Sequence, residues 1–134
     1  MLLNIKTGKN VARIPMHEIV IFVSSLPRLK AMEIPFVFTD RHAYLIAARF
    51  SNNLDDLDNV DWDILRRSDF GYDPNDIGKM DRYQAEALVH DRLPMDAVAA
   101  IICATATQES HVRSLVTASG LTTTVVTKPE YFFS

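Results

Sequence analysis

Apolar runs of strand length recur along the chain and predict a β-sheet of about five strands. Each run is rich in β-branched or aromatic residues, or has an apolar alternation, and lies near turn-forming positions: residues 18–24, 34–38, 84–90, 97–104 and 122–127. The longest uninterrupted apolar stretch, Ala97 to Ala104, is too short to cross a bilayer. We therefore expect strands in a sheet and no membrane span.

Segments with helix-favouring residues separate several of these runs: residues 25–32, 40–50, 60–67 and 105–120. The 40–50 segment is rich in Ala, and Thr39 or Asp40 can cap it. In the last segment, Thr105 and Gln108 can form a capping box, and Gly120 ends the helix. The pattern thus predicts a small number of short helices among the strands.

Residues 51–79 differ from the rest of the chain because Asn, Asp and Gly are frequent there. Only the stretch from Val60 to Arg67 has helical spacing, with Trp62, Ile64 and Leu65 expected to pack inward. A long, weakly regular segment in a small domain is usually functional or mobile. The whole pattern predicts one α+β domain over residues 1–134, built around a mixed sheet with short helices.

Composition supports an ordinary globular protein. The chain has 134 residues, of which 48% are hydrophobic and 23% are charged, which suits a single domain. The net charge of −3 argues against a polycation that coats nucleic acid, although a localised nucleic-acid groove stays open. No basic cluster precedes an apolar stretch of signal-peptide length, so we expect a soluble, cytoplasmic protein.

Glu86 is the carboxylate that is hardest to explain by structure alone. It lies within the apolar alternation A-E-A-L-V, which predicts a strand. Burying a carboxylate without partners costs several kcal/mol, so a position in a cleft would need a reason such as catalysis. The alternative is a charge on an edge strand that discourages aggregation.

His42 and Arg49 share one face of the helix predicted for residues 40–50. His42 lies near the predicted N-terminus, where a phosphate or carboxylate is favoured. From the residues alone, a partly buried histidine bonded to a nearby carbonyl is the favoured interpretation. Arg49 could contact phosphate or form an ordinary ion pair with Asp55 or Asp56.

The sequence gives little support to a metal centre. The acidic run at residues 55–63 has neither the turn glycine nor the terminal glutamate of a calcium loop, so it is expected to be a solvated, helix-capping face. The four histidines form no H-x-x-x-H pair, and Cys103, the only cysteine, is expected to be a small buried residue. We expect no metal.

Four separated blocks together resemble one family. They are F-V-F-T-D-R-H-A (residues 36–43), A-A-R-F (47–50), L-D-D-L-D-N-V-D-W-D (54–63) and R-Y-Q-A-E-A-L-V (82–89). In this order and spacing they resemble the DarT family of bacterial toxins, which ADP-ribosylate thymidine in single-stranded DNA with NAD. The likeness runs from residue 1 to about Phe133 and implies an ADP-ribosyltransferase fold.

The resemblance also implies roles for individual residues. Glu86 matches the catalytic glutamate of the family, and Met1 and His42 match residues near the NAD. The segment from about residue 43 to 84 matches the loop that shapes the DNA site, where Arg49 or Arg82 would meet phosphate. Within it, Trp62, Phe70 or Tyr72 would stack on a base.

The resemblance further implies a neutralising partner, a DarG-type antitoxin with a macrodomain. It also implies that the chain starts after the N-terminal third of the family, which supplies other NAD-binding residues. Two alternatives therefore stay open beside the transferase. One is an inactive single-strand-binding remnant of the same fold, and the other is a carboxylate-based metal hydrolase that uses the acidic run.

Overall fold

The computed structural model of the protein describes residues 12–69 and 71–132. Its strands are β1 (Ile21–Val23), β2 (Phe36–Thr39), β3 (Phe50–Ser51), β4 (Ala87–Val89), β5 (Ala100–Cys103) and β6 (Thr124–Thr127). Its α-helices are α1 (Leu26–Ala31), α2 (Trp62–Arg66), α3 (Lys79–Arg82) and α4 (Ala106–Ala118). Short 3-10 helices span Met16–Glu18, Leu54–Asn59, Met95–Ala97 and Pro129–Phe132.

The chain divides into two compact units. The first unit combines the described residues before Leu26 with those from Pro94 onward, and the second unit is Leu26–Leu93. Each unit carries one three-stranded sheet. The α+β class predicted from the sequence is confirmed, with the strands distributed over two small sheets.

The sheet of the first unit has the order β1-β5-β6. The central strand β5 pairs antiparallel with β1 and parallel with β6, with Ile101 opposite Val125. The sequence predicts mixed pairing in a sheet of about five strands, and the structure has it in this sheet of three. The apolar run of β5 suits a strand with neighbours on both sides. The core of the unit is apolar and consists of Val98, Ile101, Cys103, Val116 and Val125.

Helix α4 begins and ends at the predicted positions. The Thr105 hydroxyl accepts a hydrogen bond from the Gln108 amide at 3.2 Å, and Gly120 adopts a φ of 69° just after the helix. The Gln108 side chain accepts from the Ala104 amide and donates to the Ile19 carbonyl at 2.7 Å. The cap therefore also ties the helix to the segment that leads into β1.

The sheet of the second unit is antiparallel, with the order β3-β2-β4. Strand β2 contributes the buried residues Phe36 and Phe38, which pair with Val89 and Ala87 of β4. Ile64 of α2 is buried as predicted, whereas Trp62 remains 40% exposed, contrary to the expectation that it packs inward. The register of β2 with β4 fixes the position of the residues that directly follow β2 and precede β4.

The prediction of a helix over residues 40–50 is wrong. Residues 41–48 form successive turns, and Phe50 belongs to β3. The backbone amide of His42 donates to the Asp81 carbonyl at 3.1 Å, and that of Ala43 donates to the Glu86 carboxylate at 2.8 Å. The Asp40 carboxylate also accepts a hydrogen bond from the Arg49 amide. These tertiary hydrogen bonds outweigh the helix propensity of the segment.

The long segment after β3 is more ordered than its composition indicates. The 3-10 helix Leu54–Asn59 and helix α2 occupy much of it, and Asn53 and Asp61 cap these two elements. Across residues 12–69 and 71–132, no helix is long and apolar enough to cross a membrane.

Val125 tests the core of the first unit. It is 1% exposed, so replacing it with Ala removes two buried methyl groups and leaves a void. We expect V125A to lower the free energy of unfolding by about 2 kcal/mol. Urea unfolding followed by circular dichroism measures this change.

Thr124, exposed on the same strand, provides the control. T124A should change the free energy of unfolding by less than about 0.5 kcal/mol. Equal losses for the two variants would show that Val125 is not a core residue.

Candidate active site

The backbone of Glu86 is fixed by Thr39, the last residue of β2. The Thr39 amide donates to the Glu86 carbonyl at 2.9 Å, and the Glu86 amide donates to the Thr39 hydroxyl at 3.2 Å. Thr39 is 1% exposed, so this arrangement is shielded from water. Glu86 lies one residue before β4 and is thus held at a defined point of the sheet edge.

The Glu86 carboxylate has one oxygen engaged and one available. Its Oε1 accepts from the Ala43 amide at 2.8 Å and lies 3.2 Å from Nδ1 of His42. Within the described part of the chain, no residue hydrogen-bonds to Oε2. The side chain is 37% exposed and that of His42 is 47% exposed, so a ligand can reach both groups.

Asp40 closes the segment that presents His42 and Ala43. Its carboxylate accepts from the Arg49 amide at 3.0 Å and from two nitrogens of the Arg41 guanidinium at 3.2 and 3.0 Å. Burial of Asp40 opposes ionisation, but the Arg41 guanidinium and the Arg49 amide outweigh it, so the pKa of Asp40 lies below its ordinary value. The ionised carboxylate therefore joins the two ends of the segment.

A small cavity of about 230 Å³ opens beside Glu86 within the second unit. Its walls are mostly apolar, with the Thr39 and Glu86 side chains as polar exceptions. They comprise Leu26, Phe38, Thr39, Leu57, Val60, Trp62, Leu65, Ala85, Glu86 and Ala87. The cavity is smaller than the ~300–1,000 Å³ typical of sites for drug-sized ligands, so it suits a single ring.

The acidic run predicted as a solvated, helix-capping face is partly engaged in specific contacts. Asp61 caps α2 through the Ile64 amide, and its other oxygen accepts from the Arg82 guanidinium at 3.0 Å. Asp76 accepts from two nitrogens of Arg82 at 3.1 and 2.6 Å. Hydrogen bonding to Arg82 lowers the pKa of both carboxyls, and the two carboxylates raise the pKa of Arg82.

The structure brings some of the predicted site residues together. Glu86 and His42 are in contact, and both lie in the second unit. Arg49 is exposed and its guanidinium forms no ion pair with a described residue, so the pairing with Asp55 or Asp56 is absent. Arg82 is engaged by the two aspartates, and its contact with DNA stays a prediction.

Two predicted site positions, Met1 and Phe70, lie outside the described residues. Cys103 is fully buried as predicted, and burial raises the pKa of its thiol. Among the residues that the structure describes, no group of three or more His, Cys, Asp and Glu side chains could hold a metal ion.

Sequence reasoning missed the groups that hold Glu86. Thr39 and Asp40 were assigned to helix capping, and the Ala43 contact is made by a backbone amide, which leaves no mark in the sequence. The register between β2 and β4 could have placed Thr39 opposite Glu86, because the apolar runs of both strands were recognised.

Comparison with known proteins assigns the chain to a family. A model of the family DarT, ssDNA thymidine ADP-ribosyltransferase, matches residues 1–133. The chain therefore belongs to the DarT family. A DNA ADP-ribosyl transferase of Escherichia coli O127:H6 (strain E2348/69 / EPEC) is 40% identical over 135 residues, which cover 100% of this chain.

Solved structures give the same assignment. Thermus sp. 2.9 DarT in complex with NAD+ has a TM-score of 0.88 and 25% identity, and the match covers 98% of this chain and 66% of that one. Its complex with ADP-ribosylated ssDNA also has a TM-score of 0.88 and 25% identity, with 98% and 63% covered. The chain spans 62% of the length of the Escherichia coli relative.

The low pKa of Asp40 predicts a pH-dependent contribution to stability. Because the folded-state pKa is below the ordinary value of 3.8, the stabilisation is fully present above that pH and is lost as the pH falls through the folded-state pKa. We expect D40N to lower the free energy of unfolding by about 1.5 kcal/mol at pH 7.

The difference between D40N and the parent protein should shrink as the pH falls below the ordinary carboxyl pKa. Urea titrations at a series of pH values measure it. A difference that stays constant across this range would contradict a role for the ionised carboxylate. D58N, at an exposed aspartate, is the control.

Proposed function

We propose that this protein transfers ADP-ribose from NAD to thymidine in single-stranded DNA. The observation that carries the proposal is the Glu86 carboxylate, with Oε1 held by the Ala43 amide and Oε2 directed to no described partner. Membership of the DarT family supports the same reaction class. A carboxylate held in this way is ready to bind a ligand without rearranging.

The residues beside Glu86 suit the sugar of a dinucleotide. Oε2 can accept a hydrogen bond from a ribose hydroxyl, and the exposed His42 imidazole can contact the same sugar or its phosphate. Met1 and His42 are the cofactor-binding residues that we propose for this chain. When bound, NAD supplies the ADP-ribosyl group, and the ribose becomes cationic as its bond to nicotinamide breaks.

Glu86 is the proposed catalytic residue because its charge is opposite to the charge that develops. A fixed carboxylate near the ribose stabilises that positive charge more strongly than it stabilises the neutral sugar, which lowers the barrier. Three hydrogen bonds between Thr39 and Glu86 fix the Glu86 backbone, and the Ala43 amide holds its carboxylate. Its rigidity removes reorganisation from the step.

The cavity beside Glu86 suits the apolar faces of a planar ring such as a base turned out of a single strand. Its volume of about 230 Å³ and apolar walls favour one ring over a whole nucleotide. Trp62 lines it and can stack on the ring, because its indole is 40% exposed while its N–H is already bonded to the Leu57 carbonyl.

Arg49 is the side chain best placed to meet the phosphates of the strand. It is exposed, has no ion-pair partner among the described residues, and its backbone is fixed by Asp40. Arg82 is the second proposed contact.

We propose that residues 43–84 form the substrate loop of a single domain over residues 1–134. We also propose that a DarG-type macrodomain antitoxin neutralises the protein in the cytoplasm.

Loss of the Glu86 charge tests the proposed function. We expect E86Q to reduce ADP-ribosylation at least about a hundredfold. The glutamine side chain can still accept a hydrogen bond from the Ala43 backbone amide, but it has no negative charge to stabilise the cationic ribose. The measurement mixes protein, NAD and a thymidine-containing oligonucleotide, and mass spectrometry quantifies the modified strand.

The control is E130Q, at an exposed glutamate of the first unit. Full transfer by E86Q would overturn the proposal. If the parent protein also binds the oligonucleotide but forms no modified strand, the inactive single-strand-binding remnant is favoured instead.

Arg49 gives a second test, on binding rather than transfer. R49Q should weaken binding of single strands of any sequence and make the slope of log affinity against log salt shallower by about 0.7. Fluorescence anisotropy at several salt concentrations measures the slope, with R92Q as the control. An unchanged slope would exclude Arg49 from the phosphate contacts.

A further inference from the structure

We infer that Arg82 is a positioning residue, whose side chain fixes helix α3 so that the backbone around it holds His42 and Glu86 together. The inference deepens the proposed function and rests on it. It assigns the guanidinium a role inside the protein that is separate from its predicted contact with DNA.

The Arg82 side chain joins three parts of the second unit. Its Nε donates to Asp61 at 3.0 Å, and its two terminal nitrogens donate to the two oxygens of Asp76 at 3.1 and 2.6 Å. The Arg82 side chain is 28% exposed, so the contacts are only partly screened by water. A planar fork can satisfy two carboxylates in this way, whereas an ammonium group cannot reproduce its geometry.

One of the two partners is itself anchored to the core. Asp61 caps α2, whose residue Ile64 is 4% exposed. Lys79, at the other end of α3, is 8% exposed and pairs with Asp69 at 2.6 Å. Helix α3 has only four residues and would not be stable alone, so these ion pairs determine where it lies.

The backbone of α3 contacts the segments that contain His42 and Glu86. The Asp81 carbonyl accepts from the His42 amide at 3.1 Å, and the Arg82 carbonyl accepts from the Ala85 amide at 3.1 Å. The first bond holds the histidine, and the second fixes the turn that leads directly into Glu86. A shift of α3 therefore moves both members of the His42–Glu86 pair.

A shift of this kind has a large effect on rate. Misplacing a reacting group by about 1 Å can cost about a hundredfold in rate. An ordinary stabilising residue would not have this effect, because its loss would change the amount of folded protein and leave the turnover of each folded molecule unchanged.

The experiment compares R82K, R82Q and D76N with R66Q. R66Q removes an exposed arginine whose nearest carboxylate, Asp63, is 3.9 Å away. Two readouts are measured on the whole protein: kcat and KM for a single-stranded oligonucleotide, and hydrogen exchange of the Ala43 amide. The exchange readout does not depend on turnover, so it separates failure of this inference from failure of the proposed function.

We expect R82Q and D76N to lower kcat about tenfold to a hundredfold. In D76N, which keeps the arginine charge, KM for DNA should change by less than about threefold. The Ala43 amide should exchange at least about tenfold faster, while the strand amides of the first unit keep their rates. R82K should lower kcat and speed exchange of the Ala43 amide as R82Q does, and R66Q should change neither readout.

Other results would overturn the inference. A raised KM with unchanged kcat and unchanged Ala43 exchange would make Arg82 a DNA contact only. Faster exchange at all amides alike would indicate a general loss of stability. Unchanged exchange in D76N would show that the pairing of Arg82 with Asp76 does not position the site.

Discussion

The site depends on how the Glu86 side chain and backbone are held at the edge of a three-stranded sheet. Thr39 fixes the backbone by hydrogen bonds in both directions, and the Ala43 amide holds one carboxylate oxygen. A carboxylate held in this way is oriented and still accessible to a ligand. The Ala43 amide and the His42 imidazole both lie at this oxygen.

Charge pairs supply much of that support, because the segments around the site contain little regular structure. Asp40 closes the turn that carries His42, and Arg82 joins Asp61 and Asp76. Isolated exposed ion pairs contribute little to stability, but a bidentate, partly buried network fixes geometry as well. The acidic composition of this part of the chain thus has a structural use beyond solubility.

The sequence predicted every strand except β3, as well as helix α4 and the α+β class, because apolar periodicity and capping residues are local signals. It failed at residues 40–50, where Ala-rich composition favours a helix and hydrogen bonds to Asp81 and Glu86 impose turns. For the site, the roles of Glu86 and His42 came from a family resemblance, and the structure adds the contact between them. Neither the Ala43 amide nor the Arg82 network could be found in this way, since distant backbone and ion-pair partners leave no periodic pattern.

The turn segment that carries His42 is held mainly through its main chain, and this has an evolutionary consequence. Tyr44 is 90% exposed and Ile46 is fully exposed, so neither side chain contributes to holding the segment. Substitutions at these two positions leave the amides that grip Glu86 and Asp81 in place. Both positions can therefore vary in sequence while the backbone contacts of the Glu86 carboxylate stay the same.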